Sequence, residues 1–226
     1  MEKNGLNSQS KVYYEKQRFY EIFSRAEDYS KKLDLFFKKH IKGRKILDAG
    51  CGSGKFLPLL ERLVDEYVGI DLSEEQIKEA QKKINKKNSI LQVGDLEKLN
   101  FLDASFDVVI SSWVLGTITD EMKRKNVIDE LKRVLKPNGT IYLIENDSDG
   151  EFEKLRGHIQ RTEEYNNWLI KQGFQIIQKL ETNFHFSDLE EARTVFGEIY
   201  GKQISNQIKA KKINHHILIF KYKLTQ

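Results

Sequence analysis

The stretch from Lys45 to Leu57, K-I-L-D-A-G-C-G-S-G-K-F-L, restricts what this chain can fold into more than any other. Its opening, Lys45-Ile46-Leu47-Asp48-Ala49, is a short apolar run of the size and type of a buried parallel strand. Glycines then alternate at Gly50, Gly52 and Gly54, and an apolar segment resumes at Phe56. Alternating glycine lets the backbone turn tightly with no Cβ in the way, so a ligand can press against the main chain. A helix after such a loop points its first N–H groups and its positive dipole end at that ligand. Dinucleotide and phosphate binders share this plan, and spacing separates them. A dinucleotide fingerprint, G-x-G-x-x-G, needs a glycine where Lys55 stands. A P-loop needs Ser or Thr after its Gly-Lys pair, and here Gly54-Lys55 is followed by Phe56. Both readings fail on residues.

The spacing that fits is D-x-G-x-G-x-G, with Asp48, Gly50, Gly52 and Gly54 in register. It resembles the first motif of the class I S-adenosylmethionine (SAM) methyltransferases. That resemblance implies an α/β fold: a Rossmann-like, doubly wound seven-stranded sheet of order 3-2-1-4-5-7-6, its last strand antiparallel, with an N-terminal helical cap. It also implies SAM as cofactor and S-adenosylhomocysteine as product. Later motifs follow in order. A second strand, Tyr67 to Ile70, ends in Asp71, where an acid can accept hydrogen bonds from ribose hydroxyls. Leu72 would pack on the adenine face, and Ser73-Glu74-Glu75-Gln76 is a capping box. After a third strand, Ser89 to Val93, Asp95 and Leu96 match the family's adenine-binding positions. The fourth strand, Phe106 to Ser111, exits through Ser111-Ser112-Trp113-Val114-Leu115, where Ser111 and Ser112 would face the methionine half of the cofactor. Cys51, inside the loop, belongs to the same cradle as a small buried residue, and Tyr14 in the cap is the phenol placed to reach the SAM carboxylate. The phrase V-L-K-P-N-G-T-I-Y-L-I resembles the family's segment through the fifth strand, so the likeness runs from about Lys45 to Asn146.

One domain of 226 residues is the expected organisation: a helical cap over 1–44, a SAM-binding core over 45–146, and a substrate-side, sheet-closing part over 147–226. In the cap, Tyr29, Leu33, Phe36 and Phe37 fall on one face of a helix expected within Ser10 to His40. Helices are expected again from Phe56 to Leu63, Asp120 to Leu135, Glu151 to Gln172 and Asp188 to Ala210. Lys136 to Gly139 reads as a turn, and strands are expected over Thr140 to Glu145, Phe174 to Glu181 and His216 to Tyr222.

Composition narrows the function. The single cysteine excludes an internal disulfide framework and agrees with a cytoplasmic home. No apolar run approaches the roughly 18 residues of a membrane span, and the polar N-terminus lacks a signal-peptide core. The net charge of +4 is segregated: residues 1–44 hold 11 basic against 6 acidic side chains, and residues 201–226 hold 6 against none. These are mostly lysines without interleaved Arg-aromatic platforms, which reads as a solvated surface before a nucleic-acid footprint. The strand-four exit lacks the Asn/Asp-Pro-Pro-aromatic motif of the families that methylate bases at exocyclic nitrogen.

Methyl transfer from a sulfonium needs binding, alignment and exclusion of water, and a base only if the nucleophile is protonated. Catalytic candidates are Asp147, His158 and His185, beside Glu145 and Asp149 after the fifth strand. The acidic cluster Glu145, Asp147, Asp149 and Glu151 favours a cationic or amine-bearing acceptor, and no metal site is expected at His215-His216. The expectation is a monomeric or homodimeric SAM-dependent methyltransferase of a small molecule, acting at O, N or C. The alternatives are an RNA or protein methyltransferase and a non-catalytic SAM-binding partner subunit.

Overall fold

Apolar runs too short for a helix become the strands of one sheet in the computed structural model, which describes residues 15–41 and 44–224. The strands are β1 (Lys45–Ala49), β2 (Glu66–Asp71), β3 (Ser89–Val93), β4 (Phe106–Ser112), β5 (Leu135–Asn146), β6 (Gln175–His185) and β7 (Lys212–Lys223). Their order is β3-β2-β1-β4-β5-β7-β6, as the family resemblance implied. The pairs β1–β2, β1–β4, β2–β3 and β4–β5 are parallel. Ile46 to Ala49 of β1 and Val108 to Ser111 of β4 are buried without interruption, which is why these runs are apolar rather than alternating. The last strand is antiparallel to β5. Asn138 N–H donates to Leu224 O and Asp147 N–H to His216 O, so the numbering falls along β7 as it rises along β5.

The helices are α1 (Gln17–Ala26), α2 (Lys32–His40), α3 (Leu57–Leu63), α4 (Glu74–Gln81), α5 (Glu121–Arg133), α6 (Glu151–Arg156), α7 (Ile159–Lys171), α8 (Leu189–Tyr200) and α9 (Lys202–Gln207). Among the described residues, no helix is long and apolar enough to cross a membrane. The described chain divides into two compact units. One is built from Asp34–Ile144 and the chain end from Phe220; the other from residues up to Leu33 and from Glu145–Ile219. In the first, Phe37 of α2 meets Phe56 edge-on at 5.0 Å and Phe36 meets Tyr142 of β5 at 5.3 Å. In the second, Phe23 of α1 lies 4.6 Å from Phe184 of β6, and Phe152 of α6 and Phe196 of α8 complete an aromatic core.

Local chemistry broke several segments that periodicity left whole. The N-terminal helical segment splits at Glu27–Lys31, where Asp28 and Lys31 take φ of 51° and 54°. The buried Asp28 carboxylate accepts from Lys32 N–H, Leu33 N–H and Thr182 Oγ1, so it caps α2 and pins the turn to β6. Tyr29 is thereby expelled from the apolar face and lies exposed against His185. Gly157 at φ 65° separates α6 from α7, and Gly201 at φ 93° separates α8 from α9. Lys136 to Gly139 is a bulge inside β5: Leu135 and Thr140 pair with Phe106 and Val108, and Asn138 takes φ 64°.

One buried acid ties α3 to the loop before β3. The Glu61 carboxylate accepts from Asn85 N–H and Nδ2, Lys86 N–H and Ser89 Oγ, all at 3.0–3.2 Å. Burial pushes its pKa up, but these donors outweigh it and hold it below the usual glutamate range. A lowered folded pKa adds stability that is complete above the unfolded value, about 4.3, and is lost as pH falls through the folded one. Glu61→Ala should therefore cost roughly 2–4 kcal/mol at pH 7 in a urea titration. The gap to wild type should close as the pH is taken below 4.

Candidate functional site

The Gly loop sits at the carboxyl end of β1, and β2 holds it. Gly50 and Cys51 both donate their N–H to Ile70 O, at 2.8 and 3.0 Å. Gly50, Gly52 and Gly54 take φ of 79°, 52° and 77°, a region that costs a side chain dearly. Two of these glycines also serve packing inside the protein. A Cβ on Gly50 would collide with Val114, and one on Gly54 would crowd Ala80 of α4. The last residue of β2 completes the clasp: Asp71 Oδ2 accepts from Gly52 N–H and Oδ1 from Ser73 N–H, both at 2.9 Å. Burial raises the Asp71 pKa, and the N–H groups of Ser73, Gly52 and Leu72 offset part of that rise. A carboxylate offers about four lone-pair sites, so both oxygens retain acceptor capacity for a further donor.

Beneath the loop, Asp48 accepts from Tyr67 Oη at 2.7 Å. Asp48 pairs in register with Gly69, and Tyr67 lies on the same face of β2. The ring can pass over Gly69 because that residue has no side chain: a Cβ there would crowd Tyr67, Leu91 and Cys51. Burial pushes the Asp48 pKa up to about 7, the Tyr67 hydroxyl partly opposes this, and the Asp71 charge adds to it. Cys51 is buried, its thiol pushed well up by burial and by Asp48 and Asp71, so it is no nucleophile. Sequence reasoning named Asp48 but missed Tyr67; only the strand register joins them.

The other strand exits divide. Asp95 is exposed and accepts from Glu97 N–H, Leu96 is buried, and Leu72 is exposed beside Asp71. Ser111 is fully buried and donates to Ala49 O at 2.9 Å, so its hydroxyl binds β4 to β1. Ser112 is different: its Oγ is buried and has no hydrogen-bond partner among the described residues. A buried hydroxyl without a partner at the ligand end of a parallel sheet fits a bound polar group. Trp113 and Lys55, which sequence reasoning left unassigned, meet at this exit. Tyr14 lies outside the described residues.

The comparisons with known proteins bear on this arrangement. Residues 47–143 match the family model described as a methyltransferase domain. That match spans 97 of the 226 residues, under half of the chain. The chain is 35% identical over 112 residues to a tRNA (carboxymethyluridine(34)-5-O)-methyltransferase of Arabidopsis thaliana, over 50% of this chain and 26% of that protein. It is 34% identical over 108 residues to a demethylmenaquinone methyltransferase of Staphylococcus aureus, over 46% of this chain and 44% of that one. The chain thus spans less than half the length of these two curated relatives. A SAM-dependent methyltransferase of Methanosarcina mazei shares the fold at a TM-score of 0.58 and 22% identity, over 85% of this chain and 98% of that one.

The catalytic candidates named from the sequence, Asp147, His158 and His185, lie in the other unit. Asp147 and Asp149 come together with His216, their ligand atoms within 4.8 Å of one another, an approach that sequence spacing concealed. Lys179 already supplies the cation there, at 2.7 Å from Asp147 and 3.0 Å from Asp149, and it holds Asp149 below the usual aspartate range. Glu145 is buried and accepts from Tyr165 Oη at 2.8 Å. Asn146 bridges His215 Nε2, at 3.0 Å, and Glu153, at 2.8 Å. His158 precedes α7, and burial with Arg156 and Arg161 lowers its pKa to about 4, so it is neutral at pH 7. His185, at the end of β6, packs on Tyr29.

The Asp48–Tyr67 pair makes a testable statement about pH. Unfolded, Asp48 loses its proton near 3.9; folded, it keeps it to about 7. Between these values the folded state binds more protons, so rising pH removes stability. The stability of Asp48→Asn relative to wild type should rise by roughly 2–3 kcal/mol from pH 5 to pH 8 in paired urea titrations. A difference flat with pH would mean that Asp48 ionises normally in the fold.

Proposed function

We propose that this chain transfers a methyl group from SAM to O, N or C of a small molecule. The observation that carries the reading is the left-handed Gly loop clasped by one buried carboxylate, with a buried hydroxyl lacking a partner at the next strand exit. Asp71 would accept from the ribose hydroxyls, Leu72, Asp95 and Leu96 would flank the adenine, and Gly50 to Gly54 with Cys51 would take the backbone of the amino-acid half. Ser112 would satisfy its oxygen on that same half, while Ser111 and Asp48 support the strands and loop beneath. The cofactor supplies an electrophilic methyl on a sulfonium; the residues around it bind, orient and exclude water. A general base is no part of the proposal, since Cys51 is a buried protonated thiol and His158 a half-buried neutral ring.

A cationic or amine-bearing acceptor at Asp147 and Asp149 would have to displace Lys179 from both carboxylates. The second reading, methylation of RNA, is favoured by the tRNA methyltransferase likeness and by the lysines of residues 201–226. Salt separates the two, because binding driven by phosphates falls steeply as salt rises.

Calorimetric titration with SAM and S-adenosylhomocysteine tests the cofactor assignment. Wild type should bind both, and Asp71→Ala should lose roughly 1–3 kcal/mol as buried ribose hydroxyls lose their acceptor. Asp71→Asn, which keeps one acceptor oxygen, should lose less. Wild type that binds neither ligand overturns the reading.

A further inference from the structure

β6 stands last in the sheet order, bordered by β7 on one side only. Phe186 N–H, one residue past β6, donates to Lys211 O, one residue before β7. The end of one strand thus meets the start of the other, and the two run antiparallel. In an antiparallel ladder the N–H and C=O of one residue point to the same side, and the side alternates along the strand. Glu181 and Asn183 identify the outer side of β6. Their carbonyls accept from Lys32 Nζ and Tyr29 N–H, both on the turn that opens α2. By alternation Gln175, Ile177 and Lys179 also turn their backbone groups outward. The turn covers the far half of the strand; the near half is exposed without interruption from Gln175 to Lys179.

Sheets protect such edges with charge, proline or bulges, because open strand groups recruit another strand. Gln175 to Gln178 hold neither charge nor proline, and Ile176 and Ile177 are 45% and 40% exposed on opposite faces. Lys179 is the one charge of the stretch, and Asp147 and Asp149 neutralise it. What fits this open half is the same half of a second copy. An antiparallel pair bonds outward residue to outward residue, and a two-fold axis makes the pairing reciprocal. With the axis through Ile177, Ile177 meets its own equivalent and Gln175 meets Lys179 of the second copy. All three outward residues are used, and no like charges meet. An axis at Gln178 would set Gln175 against Glu181, whose carbonyl Lys32 already holds. One at Lys179 would oppose two lysines, and one at Ile176 would need Gly173, which lies outside the strand.

We propose that this chain forms a two-fold dimer through β6, the two strands pairing antiparallel about Ile177 over Gln175 to Lys179. The contact supplies about six backbone hydrogen bonds, two for each residue pair, and covers Ile176 and Ile177 of both copies. A contact of this extent is small, so the dimer depends on concentration. In sedimentation equilibrium the mass should rise from one chain toward two between micromolar and near-millimolar protein. Ile177→Pro removes one outward donor from each copy, leaves the β6–β7 ladder untouched and should weaken association about tenfold or more. Ile177→Lys sets like charges across the axis and should stay a single chain over the same range. Circular dichroism separates either effect from unfolding. Disulfide capture reads the register, the native Cys51 being buried. Ile177→Cys should crosslink to its own equivalent on mild oxidation, because hydrogen-bonded partners hold their Cα atoms about 5.5 Å apart. Ile176→Cys, which faces Gln178 of the second copy, should crosslink far less. A wild type that remains a single chain at the highest concentration overturns the proposal. A dimer that both Ile177→Lys and Ile177→Pro leave intact uses another surface and sinks it equally. Equal crosslinking from the two cysteine variants would rule out the axis at Ile177.

Discussion

One buried carboxylate, Asp71, holds the ligand end of the parallel strands in shape. Its two oxygens take N–H groups from opposite sides, Gly52 of the loop after β1 and Ser73 at the start of α4. Without those donors a carboxylate so enclosed would be costly, and without the carboxylate two backbone groups would be left unsatisfied. The same clasp fixes the left-handed turn of the loop, sets the entry of α4 and leaves acceptor positions toward the ligand side. Asp48, one layer below, is the counterpart: a carboxyl pushed up to about 7 by burial, steadied by Tyr67 across a glycine that leaves room for the ring. The two acids can coexist in one small region because Asp48 keeps its proton to about 7, so Asp71 need not face a second full charge.

The other unit is organised by a different economy. Beside its aromatic core of Phe23, Phe152, Phe184 and Phe196 runs a chain of hydrogen bonds from His215 to Asn146, from Asn146 to Glu153, and from Glu153 to Arg156 and Thr162. Such a buried network fixes geometry in a way that apolar packing alone does not. The carboxylates at the end of β5 and just after it, exposed in a reading of the sequence, are partly spent on Tyr165 and Lys179. A charge count along the chain therefore overstates the negative field there.

Much of this was legible in the residues. The D-x-G-x-G-x-G spacing and the acid ending β2 carried the family resemblance that implied the sheet order, and the apolar runs of β1, β2 and β4 marked strands directly, because parallel strands buried on both faces leave a continuous signature. Helix breaks were less legible. Asp28 and Lys31 adopt left-handed backbone that neither residue type announces, and it is the Asp28 contacts with Lys32, Leu33 and Thr182 that hold the turn. The bulge in β5 and the enclosure of Ser111 could not be read either. Each depends on which residue faces which across two strands.

By itself the sequence determined the place of the glycine loop and of the acid that closes β2, since these follow from spacing and from the few residue types a tight turn permits, and its motifs carried the resemblance that implied the fold class. The tertiary structure alone decided how those residues are employed. It gave Ser111 to the sheet and left the Ser112 oxygen without a hydrogen-bond partner among the described residues, brought Tyr67 to Asp48 and Lys179 to two aspartates, and set Lys55 over Trp113 and Phe56. Burial and pairing are properties of neighbours distant along the chain. Spacing describes the turn, and packing decides what the turn can hold.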